Sequence, residues 1–262
     1  MSGERVAVII QARMGSSRLP GKVARNLCGR SMLEQVVRRV QCARTPHVVA
    51  IATSRAPGDD IIVDLARAAG AECVRGSEDD VLARYKDAAD ACRADVVVRV
   101  TADCPLIDPD VLDAVVEAYG DTPAVDYCSN ILERTYPRGL DVEAFSASAL
   151  ARWDAEYRDR PYREHVTLPV LHYPGRFRTR NVASPVDLSS YRWTVDVEDD
   201  WRLIVEIYEM LDRADRAFST EEILGLLDRR PELLEFNREE KERDEAVKRA
   251  LDAPVSGKPV SK

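Results

Sequence analysis

Residues 6–22 read Val-Ala-Val-Ile-Ile-Gln-Ala-Arg-Met-Gly-Ser-Ser-Arg-Leu-Pro-Gly-Lys. A short β-branched run that ends in a turn rich in glycine and serine is typical of a buried parallel strand. Such a strand carries the next loop to the carboxyl edge of its sheet, where open α/β sheets bind their ligands. This stretch therefore predicts an α/β fold with a ligand-binding loop after the first strand.

The loop that follows this strand is cationic. It carries Arg13, Arg18 and Lys22, and no acidic residue stands between Glu4 and Glu34, although the formal net charge of the chain is −8. Small residues let backbone N–H groups approach a ligand closely. Those of the loop are Gly15, Ser16, Ser17 and Gly21. The combination predicts a cradle for the triphosphate of a nucleotide, and an ordinary solvated turn is the alternative.

Two familiar nucleotide-binding motifs are absent from the loop. Lys22 is followed by Val23, whereas a Walker loop has Ser or Thr at that position. The Gly-x-Gly-x-x-Gly fingerprint of dinucleotide-binding domains is also missing, which disfavours an NAD-binding oxidoreductase.

The first 130 residues alternate short apolar runs with longer amphipathic ones, which is the pattern of repeated βαβ units. Strands are predicted at residues 6–10, 47–53, 72–75, 95–101, 125–128, 140–145, 177–182 and 192–197. Helices are predicted from Ser31, which forms a capping box with Glu34, and at 59–69, 77–92, 108–120, 146–157, 161–172, 198–212 and 220–229. The third of these is expected to start with a capping box of Ser77 and Asp80, and Pro169 is expected to interrupt the helix at 161–172.

Length and composition predict a single globular domain. The chain has 262 residues, of which 45% are hydrophobic and 32% charged. We expect one domain over residues 1–250, a smaller lobe over about 130–190, and a disordered tail at 251–262. The acidic net charge argues against nucleic-acid binding. No apolar run reaches the ~18 residues of a membrane span and the N-terminus shows no signal pattern, so a cytoplasmic protein with no membrane partner is expected.

The cysteines are widely spaced and include no Cys-x-x-Cys pair. We therefore expect buried or half-buried thiols rather than a zinc site or a disulfide framework. Cys104 lies beside a candidate site residue, and we expect it to be a packing residue, with a catalytic nucleophile as the alternative.

Two aspartates follow directly on predicted strands. Asp103 comes after the apolar run 96–100, and Asp196 closes the segment 192–196. Both are expected to project over the ligand-binding edge of the sheet, and a simple turn residue is the alternative for Asp103. Asp108, before Pro109, is typical of a helix N-cap instead.

Three segments carry a resemblance to a known family. Residues 8–22 resemble the signature loop of the cytidylyltransferases that include spore coat polysaccharide biosynthesis proteins, and more distantly that of CMP-sialic acid and CMP-KDO synthetases. Residues 103–109 resemble the Asp-Cys-Pro-Leu-Ile-Asp-Pro motif of the family, with Ala102 where glycine is usual. Residues 194–200 match its Thr-Val-Asp-x-x-x-Asp motif.

The resemblance implies a Rossmann-like nucleotide-diphospho-sugar transferase fold and a Mg²⁺-dependent transfer of CMP from CTP to a sugar or sugar-acid acceptor. It implies that Asp103 and Asp196 meet at the metal. Catalytic roles are expected for Arg13, Lys22 and Asp103, since Arg13 would neutralise charge on the α-phosphate. The expected nucleotide contacts are Ala12, Arg13, Gly15, Ser16, Ser17, Arg18, Lys22 and Asp103, with Thr53, Ser54 and Arg75 at strand ends reading the base.

The acceptor side is predicted in the second lobe, at Arg138, Asp141, Glu143, Arg163, Glu164 and His165, for all of which ordinary surface exposure is the alternative. The resemblance also implies a homodimer built from this lobe. Two other functions stay open: transfer from another nucleotide or to a sugar-phosphate or phosphonate acceptor, and a nucleotide-sugar-binding or scaffolding protein without turnover.

Overall fold

The computed structural model describes residues 3–121, 125–213 and 216–252. Its strands are β1 (Val6–Gln11), β2 (Asn26–Leu27), β3 (Arg30–Ser31), β4 (Val48–Ser54), β5 (Glu72–Gly76), β6 (Val96–Thr101), β7 (Tyr127–Ser129), β8 (Glu143–Ser146) and β9 (Thr179–Asn181). Its α-helices are α1 (Met32–Gln41), α2 (Asp60–Ala68), α3 (Val81–Cys92), α4 (Pro109–Asp121), α5 (Ala147–Glu156), α6 (Arg160–Glu164), α7 (Leu168–His172), α8 (Glu198–Leu211), α9 (Thr220–Arg229) and α10 (Arg238–Asp252).

Seven strands form one mainly parallel sheet in the order β5-β4-β1-β6-β8-β7-β9. β1 lies at its centre and pairs in parallel with both β4 and β6. β8 runs antiparallel to β6 and β7, so the parallel order breaks beside β6. The predicted α/β class with a mainly parallel sheet is confirmed.

The sequence of β1 explains why the sheet has helices on both faces. Val6, Val8 and Ile10 are buried against helices that include α1, α4 and α8, whereas Ala7 and Ile9 are buried against α3 and α5. Because successive side chains of a strand point to opposite faces, a strand covered on both sides needs an unbroken apolar run.

Most predicted helix boundaries agree with the structure. Ser31 accepts a hydrogen bond from the Glu34 backbone, and Glu34 returns one to Ser31, which completes the predicted capping box. The box predicted at residues 77–80 is wrong. Asp80 is itself the N-cap and accepts from the backbone of Ala83, so α3 starts four residues later than predicted.

Two other predictions of secondary structure are wrong. Residues 192–197 form no strand: residues 192–195 are all buried, but the segment makes only one isolated bridge, between Arg192 and Arg138. The helix predicted at 161–172 is two short helices. Its break lies at residues 165–167, and Pro169 stands in the first turn of α7, where a missing N–H costs nothing.

Helix α10 was not predicted as a helix, and it includes the first two residues of the predicted tail, whose remainder, 253–262, lies outside the described residues. Within the described part of the chain, no helix has both the length and the apolar character that crossing a membrane requires. All six cysteines are free thiols. Three are buried and one is half-buried, but Cys28 and Cys42 are exposed, so the expectation of buried or half-buried thiols is wrong for these two.

Candidate active site

A cleft of about 550 Å³ opens at the carboxyl edge of the sheet, where β1 and β6 end. The residues of the cationic loop that line it are Ala12, Arg13, Gly15, Ser16, Ser17, Arg18 and Lys22. Asp103 and Asp196 line it as well. The structure therefore brings the cationic loop and both candidate aspartates to one place.

Hydrogen bonds within the loop hold its shape. The carbonyl of Met14 accepts from the backbone N–H groups of Ser16 and Gly21, at 2.9 and 3.0 Å. Gly21 has φ +71, which glycine adopts without strain, and it precedes the short 3₁₀ helix Lys22–Ala24. The Met14 N–H donates to Asp59 at 2.7 Å, which ties the loop to the start of α2.

Lys22 lies at the centre of the site and is only 8% exposed. Its Nζ is 3.2 Å from Asp103 Oδ2 and 3.0 Å from Asp196 Oδ1, and it donates to the Val195 carbonyl. One ammonium group therefore joins two carboxylates that lie 93 positions apart in the chain. Burial of the Lys22 charge is tolerated because two half-buried carboxylates pair with it.

Each aspartate also has protein partners other than Lys22. Thr101 donates to Asp103 Oδ1 at 2.6 Å, and the N–H of Val195 donates to the Asp103 carbonyl at 2.8 Å. Arg18 and Arg192 contact Asp196 Oδ2 at 3.1 and 3.0 Å. Each carboxylate thus keeps one oxygen directed at the Lys22 ammonium.

The pKa of Asp196 reflects these neighbours. Burial favours the protonated acid and works to raise the pKa, but Lys22, Arg18 and Arg192 stabilise the carboxylate more strongly. The net result is a pKa below the ordinary value of an aspartate. Asp196 is therefore ionised at neutral pH and able to bind a cation.

The donor set fits a divalent metal that is shared with a substrate. Among the described residues, no group of three or more His, Cys, Asp or Glu side chains could hold a metal ion by itself. Asp103 Oδ2 and Asp196 Oδ1 nevertheless converge on one point, the Lys22 Nζ. Two carboxylates completed by phosphate oxygens and waters are how proteins usually hold Mg²⁺.

Several lining residues were missed by the sequence analysis. They include Gln11, Glu78, Asp79, Val81, Arg84, Arg99 and Arg160. Glu78 and Asp79 follow the end of β5, so the strand-end rule that singled out Asp103 applies to them too. Arg84 donates to the carbonyls of Ser77 and Glu78, at 2.7 and 2.9 Å, and thereby shapes this turn.

The residues predicted to read the base lie outside the cleft lining. Thr53 and Ser54 are fully buried, and the Ser54 hydroxyl donates to Asp59. Arg75 donates to the carbonyls of Ser54 and Ala56 and pairs with Asp60 at 2.7 Å. The Ser54 hydroxyl and the Arg75 guanidinium are therefore engaged in contacts that link β4, β5 and the start of α2.

The predicted acceptor residues are divided by the structure. Glu164 and His165 line the cleft, whereas Arg163 points away from it and pairs with Asp80 and Asp154 at 2.7 and 2.6 Å. The Arg163–Asp80 pair joins α6 to the N-cap of α3. It thereby holds the rest of α6 over the cleft.

The other three predicted acceptor residues have protein partners. Glu143 is 2% exposed, pairs with Arg99 and accepts from the Tyr127 hydroxyl at 2.7 Å, so it does not reach the cleft. Asp141 accepts two hydrogen bonds from Arg134, at 2.6 and 2.8 Å. Arg138 lies 3.0 Å from Asp244, outside the lining.

Cys104 stands next to Asp103 but is buried. Burial, reinforced by the Asp103 carboxylate, raises the pKa of the Cys104 thiol well above its ordinary value. A thiolate nucleophile is therefore disfavoured, and the geometry agrees with the packing role expected for this residue.

Comparison with known proteins identifies the family of this chain. A family model described as cytidylyltransferase matches residues 7–220. The spore coat polysaccharide biosynthesis protein SpsF of Bacillus subtilis is 34% identical over 235 residues, which are 87% of this chain and 95% of that protein. The solved structure of a cytidylyltransferase from Leptospira borgpetersenii is 31% identical with a TM-score of 0.84, covering 88% of this chain and 97% of that one.

A more distant solved structure shares the fold. It is a CMP:2-keto-3-deoxy-manno-octonic acid synthetase complexed with CTP, with a TM-score of 0.62 and 18% identity over 79% of this chain and 99% of that one.

Proposed function

The chain belongs to the cytidylyltransferase family, and we propose that it transfers CMP from CTP to a hydroxyl of a sugar or sugar-acid acceptor. The enzyme class follows from the family. The observation that carries the specific proposal is the meeting of Lys22, Asp103 and Asp196 at the end of the cationic loop.

The proposed reaction is one displacement at phosphorus. The acceptor oxygen forms a bond to the α-phosphorus of CTP, the bond from that phosphorus to its bridging oxygen breaks, and pyrophosphate leaves while the hydroxyl proton passes to solvent. Such transfers ask the protein for positioning and charge stabilisation rather than for covalent chemistry. Arg13 would stabilise charge on the α-phosphate, with Arg18 and Lys22 on the β- and γ-phosphates.

Mg²⁺ would be held by Asp103 and Asp196, the two carboxylates whose oxygens converge on the Lys22 ammonium. When bound, it would supply positive charge that offsets the charge of the phosphates and lowers the pKa of the attacking hydroxyl. The Lys22 side chain is a long, flexible cation. It would leave its place between the carboxylates and pair with the phosphates as the nucleotide enters.

The base would lie against the turn after β5. Glu78 and Asp79 line the cleft there, and carboxylate oxygens accept hydrogen bonds from the exocyclic amino group of cytosine. Uracil has a carbonyl at that position and would be repelled. This chemistry favours CTP over UTP, and the relative bound to CTP supports the same choice.

The acceptor would enter on the side of α6. Arg160, Glu164 and His165 line the cleft there, and their charged and polar groups suit a polyhydroxylated or acidic acceptor. We also propose a homodimer formed by the second lobe. Leu171 and Tyr173, on and after α7, are 49% and 40% exposed and support that contact.

The test is thermal unfolding of the full chain with CTP, UTP, GTP or ATP, each with and without Mg²⁺. A ligand that binds only the folded state raises stability by about 2.7 kcal/mol at a hundred times its dissociation constant. We expect a stabilisation that needs both CTP and Mg²⁺. Stabilisation by another nucleotide would contradict the substrate, and none by any nucleotide would favour a non-catalytic protein.

A matched pair of variants ties the effect to the site. Asp103→Asn should abolish the Mg²⁺-dependent part of the stabilisation, because the metal loses one of its two carboxylates. Asp64→Asn removes the same charge from an exposed position on α2 and should leave it unchanged. Equal responses of the two variants would contradict the proposed metal site.

A further inference from the structure

Helix α10 begins well after residue 220, where the match to the family model ends, yet one of its faces meets the site. Asn237, just before the helix, and Glu240 and Asp244 within it follow one another at spacings of three and four residues, so they share one face. Their partners are site residues. On the opposite side, Arg238 and Glu242 pair with each other at 3.8 Å.

Asp244 contacts the guanidinium group that supports Asp196. Its Oδ2 is 2.5 Å from Arg192 Nη1 and 3.0 Å from Arg138 Nε. The other terminal nitrogen of Arg192, Nη2, donates to Asp196 Oδ2 at 3.0 Å. Arg192 is 5% exposed, so one buried guanidinium joins a carboxylate of α10 to a carboxylate of the cleft.

Asp200 completes this support. It is fully buried, accepts from Arg192 Nε and Nη2 at 2.9 Å each, and accepts from the backbone N–H of Asp196 at 2.9 Å. Asn237 donates to Asp200 and to the Arg192 carbonyl, both at 3.0 Å. The start of α10 is thereby anchored to the segment that carries Asp196.

Glu240 acts on the other cation next to Asp196. It lies 3.9 Å from Arg18, which itself contacts Asp196 Oδ2. Two acidic residues of α10 therefore each partner an arginine that competes with a metal ion for the same carboxylate.

We propose that Asp244 is a positioning residue that acts through Arg192 to keep Asp196 available to a divalent cation, an inference that rests on the proposed function. Asp244 binds Nη1 of the Arg192 guanidinium, and Asp200 binds Nε and Nη2. Arg192 therefore contacts Asp196 only through Nη2. Its single bond to Oδ2 leaves Oδ1 directed at the cleft.

Removing the Asp244 charge has two consequences, and both disfavour a bound cation. Arg192 loses the partner of Nη1 and becomes free to turn further toward Asp196. The surroundings of Asp196 also become more positive by one unit, since the guanidinium stays charged. Replacing a residue that orients a metal ligand typically lowers metal affinity by about 10- to 100-fold.

The test measures Mn²⁺ binding to the full chain by electron paramagnetic resonance of the free ion, with and without CTP. We expect Asp244→Asn to raise the Mn²⁺ dissociation constant by about tenfold. Asp244→Glu, which keeps the charge, should recover most of the affinity. Glu242→Gln removes an equal charge from the outer face of α10 and should behave as the wild type.

Each outcome is decisive. Asp244→Asn with wild-type Mn²⁺ affinity would overturn the positioning role while leaving the proposed function in place. Equal weakening of Mn²⁺ binding by Glu242→Gln would overturn the positioning role as well, since the loss of any negative charge on α10 would then explain the effect. A wild-type chain that binds no Mn²⁺ even with CTP would overturn the proposed function and this inference with it. Melting temperatures measured alongside identify a variant that has lost its fold. If Asp244→Asn is such a variant, the Mn²⁺ dissociation constant of Asp244→Glu is used to test the positioning role instead.

Discussion

Arg13 and Lys22 belong to the same loop but are placed very differently. Lys22 is buried and engaged by three oxygens, whereas Arg13 is exposed on the cleft wall, and no hydrogen bond or ion pair among the described residues engages its side chain. A guanidinium without a protein partner is free to meet charge that develops on a ligand. The two cations are therefore suited to different steps.

Replacing Arg13 by Ala should slow turnover more than it weakens CTP binding. Removing one preorganised donor to developing charge typically lowers kcat by about 10²- to 10³-fold. We expect a loss of that order in pyrophosphate release with the acceptor present, and a change of less than about fivefold in the CTP affinity measured by calorimetry.

Arg30→Ala is the control for Arg13→Ala, since Arg30 is an exposed cation outside the cleft lining. Arg30→Ala should change neither turnover nor CTP affinity. If Arg13→Ala reduced turnover and CTP affinity by the same factor, Arg13 would be a binding residue rather than one that stabilises the transition state.

At the scale of elements, the turn before β8 supports the segment that carries Asp196. Gly139 has φ +109, and a Cβ there would lie 2.5 Å from the carbonyl carbon of Trp193 and 2.7 Å from the nitrogen of Thr194. The neighbouring backbone is joined by a hydrogen bond from Trp193 to the carbonyl of Arg138 at 2.7 Å. This close packing of two loop backbones needs glycine.

Gly139→Ala should therefore be strongly destabilising. The positive φ and the clash with backbone atoms each cost about 1–3 kcal/mol, so we expect a loss of about 3 kcal/mol or more in the free energy of unfolding in urea. Gly29→Ala separates the two causes, because Gly29 has φ +85 but no atom within 4 Å of its added Cβ. It should lose only about 1–2 kcal/mol; equal losses would mean that the contact with Trp193 is unimportant.

The start of α9 provides a pH-dependent prediction. Hydrogen bonds from Arg216, and next from the Ser219 backbone, lower the pKa of Glu222 to about 2. Because the folded-state pKa lies below the unfolded one, the stabilisation is complete above pH ~4.5 and is lost as pH falls toward 2. Glu222→Gln should lower the melting temperature at pH 7 and make little difference near pH 2.

Ser219, which forms the capping box with Glu222, provides the control for Glu222→Gln. Ser219→Ala removes the other half of the capping box and should cost about 1 kcal/mol. This loss should be present at both pH values, since the hydroxyl does not titrate. A Glu222→Gln effect that was equally independent of pH would contradict the assigned ion pair.

At the scale of the whole molecule, Arg39 of α1 links the loop after β6 to the C-terminal part of the chain before α9. It is 1% exposed and donates to the carbonyls of Ile107 and Phe218 at 2.7 Å each. Its guanidinium also stacks 4.3 Å from the centre of the Phe218 ring. One side chain of α1 therefore holds the loop after β6 and the segment before α9.

Arg39→Met should destabilise the entire fold. Leaving buried carbonyls unpaired costs about 1–3 kcal/mol each, so we expect a loss of about 3 kcal/mol in the free energy of unfolding. Arg67→Met, at a position 74% exposed, should change it by less than about 0.5 kcal/mol. Unfolding should remain one transition, in line with the predicted single domain over residues 1–250; a separate early transition of the C-terminal helices would contradict that domain.

Much of the fold was predictable because its determinants are local. The apolar run of β1, the loop that follows and the Ser31–Glu34 capping box are each encoded within a few adjacent residues. Asp103 could be singled out because strand ends in a parallel sheet meet at one edge. The roles of these site residues remain predictions.

Other features depend on contacts between distant segments, and only the tertiary structure decided them. The sequence by itself determined the parallel α/β class, the cationic loop and the strand that delivers it. The tertiary structure decided that Asp103 and Asp196 share the Lys22 ammonium, that Glu143 is buried, and that Asp244 of α10 contacts the arginine that pairs with Asp196. The physical reason is that backbone periodicity and capping act over three or four residues, whereas the partner of a buried charge is chosen by the chain topology.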